Sequence, residues 1–120
     1  MIKSLHHAQI TVPKGAENRA RQFYCEILKL PEIEKPELLR ARGGFWLQVG
    51  DRQVHVGTED GVNRRATKAH LAYEVTDISS WRSLLAEAGV EIEESVAIPG
   101  MDRFEFRDPF GNRVEILMET

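Results

Sequence analysis

The sequence predicts an α+β fold built from two tandem βαβββ modules, because three regularities recur along it. Short segments of alternating apolar and polar residues surround one helical stretch in each half of the chain. The order of those segments in the second half repeats the order in the first. Polar residues on corresponding strands also recur at a nearly constant offset, with His70 standing 63 residues after His7 and Glu115 standing 60 after His55. Half of the 120 residues is therefore one module. We place the modules at about 5–57 and 68–118 of a single domain spanning 1–120.

Alternation marks 7–12 as the first strand, and Pro13-Lys14-Gly15 ends it. A helix over 16–30 follows, since Ala20, Phe23, Tyr24, Ile27 and Leu28 fall on one helical face. Pro31 and Pro36 bracket a loop. Three short strands are predicted next, at 37–42, 45–49 and 53–56, separated by Gly43-Gly44 and by Gly50-Asp51. Residues 58–67 are polar and contain glycine, the composition of a surface connection.

The pattern then restarts. Residues 70–75 read as a strand, and Asp77 or Ser79 can cap a helix whose apolar face is Ile78, Trp81, Leu84, Leu85 and Ala88. Gly89 stands where that helix ends. Three more strands are predicted at 91–96, 103–107 and 113–118. The turn 108–112 joins the last two, with Pro109 fixing φ and Gly111 tolerating a positive one.

Composition narrows the function classes. Apolar residues make up 42% of the chain and charged residues 29%, enough to build a core and too apolar for a disordered segment. The net charge is -3 and no run of Lys or Arg occurs, which argues against nucleic acid or an anionic membrane as partner. No stretch approaches the roughly 18 apolar residues of a spanning helix. The N-terminal residues lead straight into a strand pattern, so a cytoplasmic location is expected. The lone Cys25 lies inside the first helix and reads as a packing residue.

Strand alternation locates the chemistry. If Ala8, Ile10 and Val12 face a helix, then His7, Gln9 and Thr11 face away; Val54 and Val56 likewise leave Gln53 and His55. In the second module Leu71, Tyr73 and Val75 leave His70, Ala72 and Glu74, while Val114, Ile116 and Met118 leave Arg113, Glu115 and Leu117. Three histidines and a glutamate thus share the uncovered faces at matching places, and a pseudo-two-fold axis would gather them. His7, His55, His70 and Glu115 suit a divalent transition metal such as Ni, Co, Zn, Mn or Fe. Such an ion keeps open positions for two adjacent oxygens of a small substrate and stabilises the charge left when a neighbouring proton is removed. Glu115 or Glu74 is the candidate base. His6 has the opposite parity and reads as exposed. Arg40, Trp46 and Arg103 are candidate substrate contacts, the arginines for an anionic group and the indole for a flat one.

Four segments carry a family resemblance: His7-Ala-Gln-Ile-Thr-Val, Phe23-Tyr-Cys-Glu-Ile-Leu, His70-Leu-Ala-Tyr-Glu-Val and Arg107-Asp-Pro-Phe-Gly-Asn-Arg-Val-Glu115. Together they resemble the vicinal oxygen chelate superfamily, the glyoxalase/bleomycin resistance/dioxygenase group. The resemblance implies a cup-shaped mixed sheet around a metal, helices on its outer face, and a homodimer. It places His7, His70 and Glu115 on the shared two-histidine-one-carboxylate site. His55 falls where glyoxalase I and methylmalonyl-CoA epimerase carry a fourth ligand, typically Glu or Gln.

The reading this favours is a metal enzyme of lyase or isomerase type. Two alternatives follow from the same resemblance. One is an iron(II) extradiol dioxygenase, which uses three protein ligands where this chain offers four. The other is a non-catalytic, bleomycin-resistance-like binding protein, a group that usually lacks the ligands kept here.

Overall fold

The computed structural model describes residues 1–120, which divide into two compact units, Met1–Val62 and Asn63–Thr120. Each unit has one four-stranded mixed sheet. In the first, β1 (His7–Val12) runs parallel to β4 (Arg52–Thr58), β4 pairs antiparallel with β3 (Phe45–Val49), and β2 (Glu32–Ile33) flanks β3. In the second, β5 (His70–Glu74) runs parallel to β8 (Arg113–Glu119), which pairs antiparallel with β7 (Met101–Arg107), and β6 (Ile92–Glu94) flanks β7. The orders β1-β4-β3-β2 and β5-β8-β7-β6 are the same topology used twice. The chain is an α+β protein of tandem βαβββ modules, as its sequence predicts. No helix is long and apolar enough to cross a membrane.

One face of each sheet is apolar and lies under the helix of its unit. In the first unit Phe45 pairs with Val56 and Leu47 with Val54, so all four side chains share a face, and all are buried. Ala20, Phe23, Tyr24 and Leu28 are buried with them. Ala20 comes from α1 (Glu17–Arg21), and Phe23 and Tyr24 from the π-helical segment Gln22–Ile27 that continues it. The Leu28 amide reaches back to Phe23 O at 2.9 Å, five residues earlier. In the second unit Phe104 pairs with Ile116 and Phe106 with Val114, all buried, together with Ile78 and Leu85 of α2 (Ile78–Glu87).

An arginine braces helix to sheet in each unit at equivalent places. Arg21 lies over the Phe45 ring at 4.7 Å and pairs with Glu32 of β2 at 2.8 Å. Arg82 lies over the Phe104 ring at 5.2 Å and pairs with Glu94 of β6 and Asp102 of β7, each at 2.8 Å. Of the two candidate caps for α2, Asp77 takes the role, accepting from the Ser80 amide at 3.2 Å.

Three elements differ from expectation. The strand predicted at 37–42 is a 3-10 helical turn, Glu37–Arg42. The two-residue β2, inside the expected loop, already occupies the edge of β3, and Pro36 has no N–H to offer a ladder. Leu38 is consequently 95% exposed instead of packed on a sheet. The predicted helix over 16–30 is one turn of α-helix that widens into a π-helix, and Leu28, just beyond it, is buried while Ile27 is only half-buried. The strand expected at 91–96 shortens to Ile92–Glu94.

The β7–β8 turn is tied by one carboxylate. Asp108, 1% exposed, accepts from the Phe110 amide at 2.9 Å, the Asn112 amide at 2.8 Å and Asn112 Nδ2 at 2.9 Å. Gly111 adopts φ +103, and a Cβ there would come within 2.8 Å of Arg65 Cγ. Arg107 Nη1 closes the turn by donating to Gly111 O at 3.1 Å. This turn sets the register that puts Glu105 opposite Glu115.

Asp108→Ala leaves three donors without their shared acceptor and is expected to cost roughly 2–4 kcal/mol of stability. Leu85→Ala, at a position with no exposed surface, is expected to cost roughly 2–5 kcal/mol. Urea unfolding of the two variants checks both.

Candidate functional site

The faces turned away from the helices hold most of the candidate residues, and register shows how each unit arranges its share. In the parallel β1–β4 ladder, Gln9 lies opposite His55, two residues on from His7. In the parallel β5–β8 ladder, Ala72 lies opposite Glu115, two residues on from His70. His55 and Glu115 therefore occupy equivalent positions in the two modules, although the turns before them differ in length by one residue.

The first unit stacks its donors. The His7 and His55 rings lie 4.1 Å apart and 16° from parallel, and Trp46, paired with His55 across β3–β4, stacks on the other side of His55 at 3.9 Å and 2°. His55 is thus clamped between two rings and only 7% exposed. Gln53 Oε1 stands 2.9 Å from His55 Nε2 and, as an acceptor, keeps the proton there, which leaves Nδ1 its lone pair. Burial first, and then the charges of His7, His6 and Lys35, push the His55 imidazole below its ordinary pKa. A neutral imidazole is the form that binds metal. His7 is exposed, and its Nδ1 lies 3.0 Å from that of the exposed His6.

The second unit arranges an imidazole against a carboxylate. His70 Nδ1 faces the Lys68 carbonyl at 2.9 Å. A carbonyl only accepts, so Nδ1 carries a proton, and in the neutral ring Nε2 is an acceptor. Nε2 faces Glu115 Oε1, 3.1 Å away. Two acceptors at this distance repel unless a cation, a proton or a metal ion, is shared between them. This is the donor chemistry a divalent ion would satisfy, and the Lys68 carbonyl supplies the outer hydrogen bond that fixes a ligating histidine. Neither unit by itself gathers three or more such donors.

Around Glu115 lies a ladder of ions. Arg103 Nη1 is 3.5 Å from Glu115 Oε1 and 3.8 Å from Glu105 Oε1, while its Nε and Nη2 donate to the Val96 carbonyl at 3.2 and 3.0 Å. Arg113 Nε donates to Glu105, and Ser95 Oγ donates to Glu105 at 3.3 Å. The Arg113 guanidinium holds the Glu105 carboxyl below the ordinary carboxylate range, against the opposing effect of burial.

The remaining sequence candidates are spread more widely. Trp46 is on the uncovered face, but its ring is used in holding His55. Arg103 is also on that face and tied to Glu115. Glu74 is exposed at the end of β5, on the face of His70, and forms no ion pair. Arg40 sits on the 3-10 turn instead of a strand, with its guanidinium on Glu34 and the Lys35 carbonyl. Cys25 is half-buried, and burial raises its thiol pKa, as expected of a packing residue. Sequence reasoning missed Glu105, Ser95 and Lys35. For Glu105 the signal was available in its pairing with Glu115, but only once the turn between their strands is placed.

Comparison with known proteins adds the family. Residues 4–116 match the model of the Glyoxalase/Bleomycin resistance protein/Dioxygenase superfamily. A protein assigned to the glyoxalase family from Bacillus anthracis is 38% identical, with a TM-score of 0.93 over 100% of this chain and 98% of that one. A fosfomycin resistance protein from Listeria monocytogenes, in complex with Mn(II) and a sulfate ion, has a TM-score of 0.81 at 19% identity, covering 100% and 93%. A virulence protein from Salmonella typhimurium has a TM-score of 0.72 at 22% identity, covering 100% and 99%. The last two are likenesses of fold alone. No curated protein matches the sequence.

The Glu105–Arg113 pair sets a pH dependence. A carboxyl lowered from its ordinary 4.5 in the folded chain stabilises the fold above that value, and the contribution is lost as pH falls through the folded one. Arg113→Met is therefore expected to cost roughly 1 kcal/mol at pH 7 and progressively less below about pH 4. Urea unfolding of both proteins across that range checks the sign.

Proposed function

Because the chain belongs to the Glyoxalase/Bleomycin resistance protein/Dioxygenase superfamily, we propose that it is a metal-dependent enzyme acting on a small substrate with vicinal oxygens. The observation that carries this reading is the approach of His70 Nε2 to Glu115 Oε1, 3.1 Å apart, the spacing of two donors that a divalent ion can share. His7, His55, His70 and Glu115 are the proposed ligands, an imidazole pair from the first unit and an imidazole-carboxylate pair from the second. When bound, a divalent ion supplies Lewis acidity to two adjacent substrate oxygens and makes the neighbouring C–H more acidic.

The chain's own residues do the rest. Burial keeps His55 neutral, and Trp46 and Gln53 orient it, so its donor atom needs no deprotonation before use. Lys68 O fixes the tautomer of His70. Arg103, 3.5 Å from Glu115 Oε1, holds that carboxylate in place, which suits a ligand better than a base. Glu74, exposed on the same face and in no ion pair, is the proposed base, taking a proton from the substrate and returning it. Proton transfer of this kind is the work of a lyase or isomerase. The fourth donor, His55, weighs against the dioxygenase reading by occupying a position that oxygen chemistry needs open.

The test is the metal content of freshly purified, untagged protein by elemental mass spectrometry. We expect close to one transition-metal ion per chain in the wild type and at least about tenfold less in His70→Ala. Ni, Co, Zn or Mn supports the lyase or isomerase; iron turns the assignment to the dioxygenase. A wild type that takes up none of these ions overturns the reading in favour of a binding protein.

A further inference from the structure

Lys35 is the one lysine of the five that is half-buried; Lys3, Lys14, Lys29 and Lys68 are all exposed. It follows β2 by two residues, at the end where Ile33 pairs with Trp46, which in turn pairs with His55. Its ammonium is drawn back onto the chain by donating to the Gly43 carbonyl, two residues before β3.

No carboxylate partners it. Glu34, its neighbour, is engaged by Arg40, and Glu17 is turned to the Gly44 amide at 3.3 Å. Other cations near the candidate residues are committed: Arg103 and Arg113 to Glu105 and Glu115, and Arg40 to Glu34. An ammonium carries three N–H donors, and the Gly43 carbonyl takes one. A charge withdrawn from water without a counter-ion costs free energy. The cost is offset when an anion arrives.

We propose that Lys35 is a substrate-binding residue that holds an oxyanion, a carboxylate or phosphate group, beside the Trp46–His55 stack. It gives the metal-enzyme reading above a substrate class, anionic small molecules, and rests on that reading for the reacting end of the molecule. Lysine acts as a point charge without the planar fork of arginine, so it does not choose between the two oxyanions by geometry.

Inorganic phosphate is the probe, titrated into the full-length protein as purified and again after chelator treatment. Binding is followed by calorimetry and by the Trp46 indole N–H resonance. We expect phosphate to shift that resonance in the wild type, to bind about tenfold more weakly to Lys35→Met, the worth of one charge-assisted contact, and to recover in Lys35→Arg. Pyruvate titrated in the same way shows whether a carboxylate is taken as well as a phosphate. Equal phosphate affinity in wild type and Lys35→Met, or no binding by the wild type, overturns the proposal. Metal uptake is measured on the same samples. Uptake without a Lys35 effect removes Lys35 alone, whereas a Lys35 effect after chelation without any uptake removes the metal reading.

Discussion

Everything at the candidate site depends on the register of two parallel ladders, β1 on β4 and β5 on β8. A strand shows alternate side chains to opposite faces, so a slip of one residue would send every donor into the core and every valine into water. The buried Val54 and Val56 prevent that in one unit, and the buried Val114 and Ile116 in the other. Donor placement is thus a by-product of hydrophobic burial on the far side of the same strands. The histidines need no force of their own to be placed.

The helical braces show how the duplicated architecture keeps that burial in place. Arg21 and Arg82 each spread a guanidinium over a buried phenylalanine ring while pairing with carboxylates at the sheet edge. The apolar stem of arginine seals the core and its charged head faces the rim. Equivalent residues do the same job in both units, so the helix-covered faces have diverged little. The opposite faces have diverged in kind: where one unit places Trp46 and His55, the other places Glu105 and Glu115.

Much of this was legible in the sequence wherever a local rule was strong. Val-X-Val at 54–56 and Val-X-Ile at 114–116 declare one face of a strand, and so declare His55 and Glu115 on the other. The turn at 108–112 declares itself through Pro109 and Gly111. The segment 37–42 was misread because Glu-Leu-Leu-Arg-Ala-Arg suits a strand or a helix, and the choice is made by β2, a two-residue strand too short to leave a pattern. Lys35, Glu105 and the Trp46 stack were illegible for a related reason. Their roles come from neighbours across a ladder, and pairing across a ladder has no local signature.

The contrast between the two uncovered faces has a consequence for how the protein responds to its solvent. Aromatic stacking at Trp46, His55 and His7 is short-ranged and nearly indifferent to dissolved salt. The Arg103, Glu105, Arg113 and Glu115 ladder is coulombic, and its rim-exposed members are weakened by mobile ions within a Debye length of about 8 Å at physiological ionic strength. One half of the candidate donor set is therefore insulated from the ionic medium and the other is tuned by it.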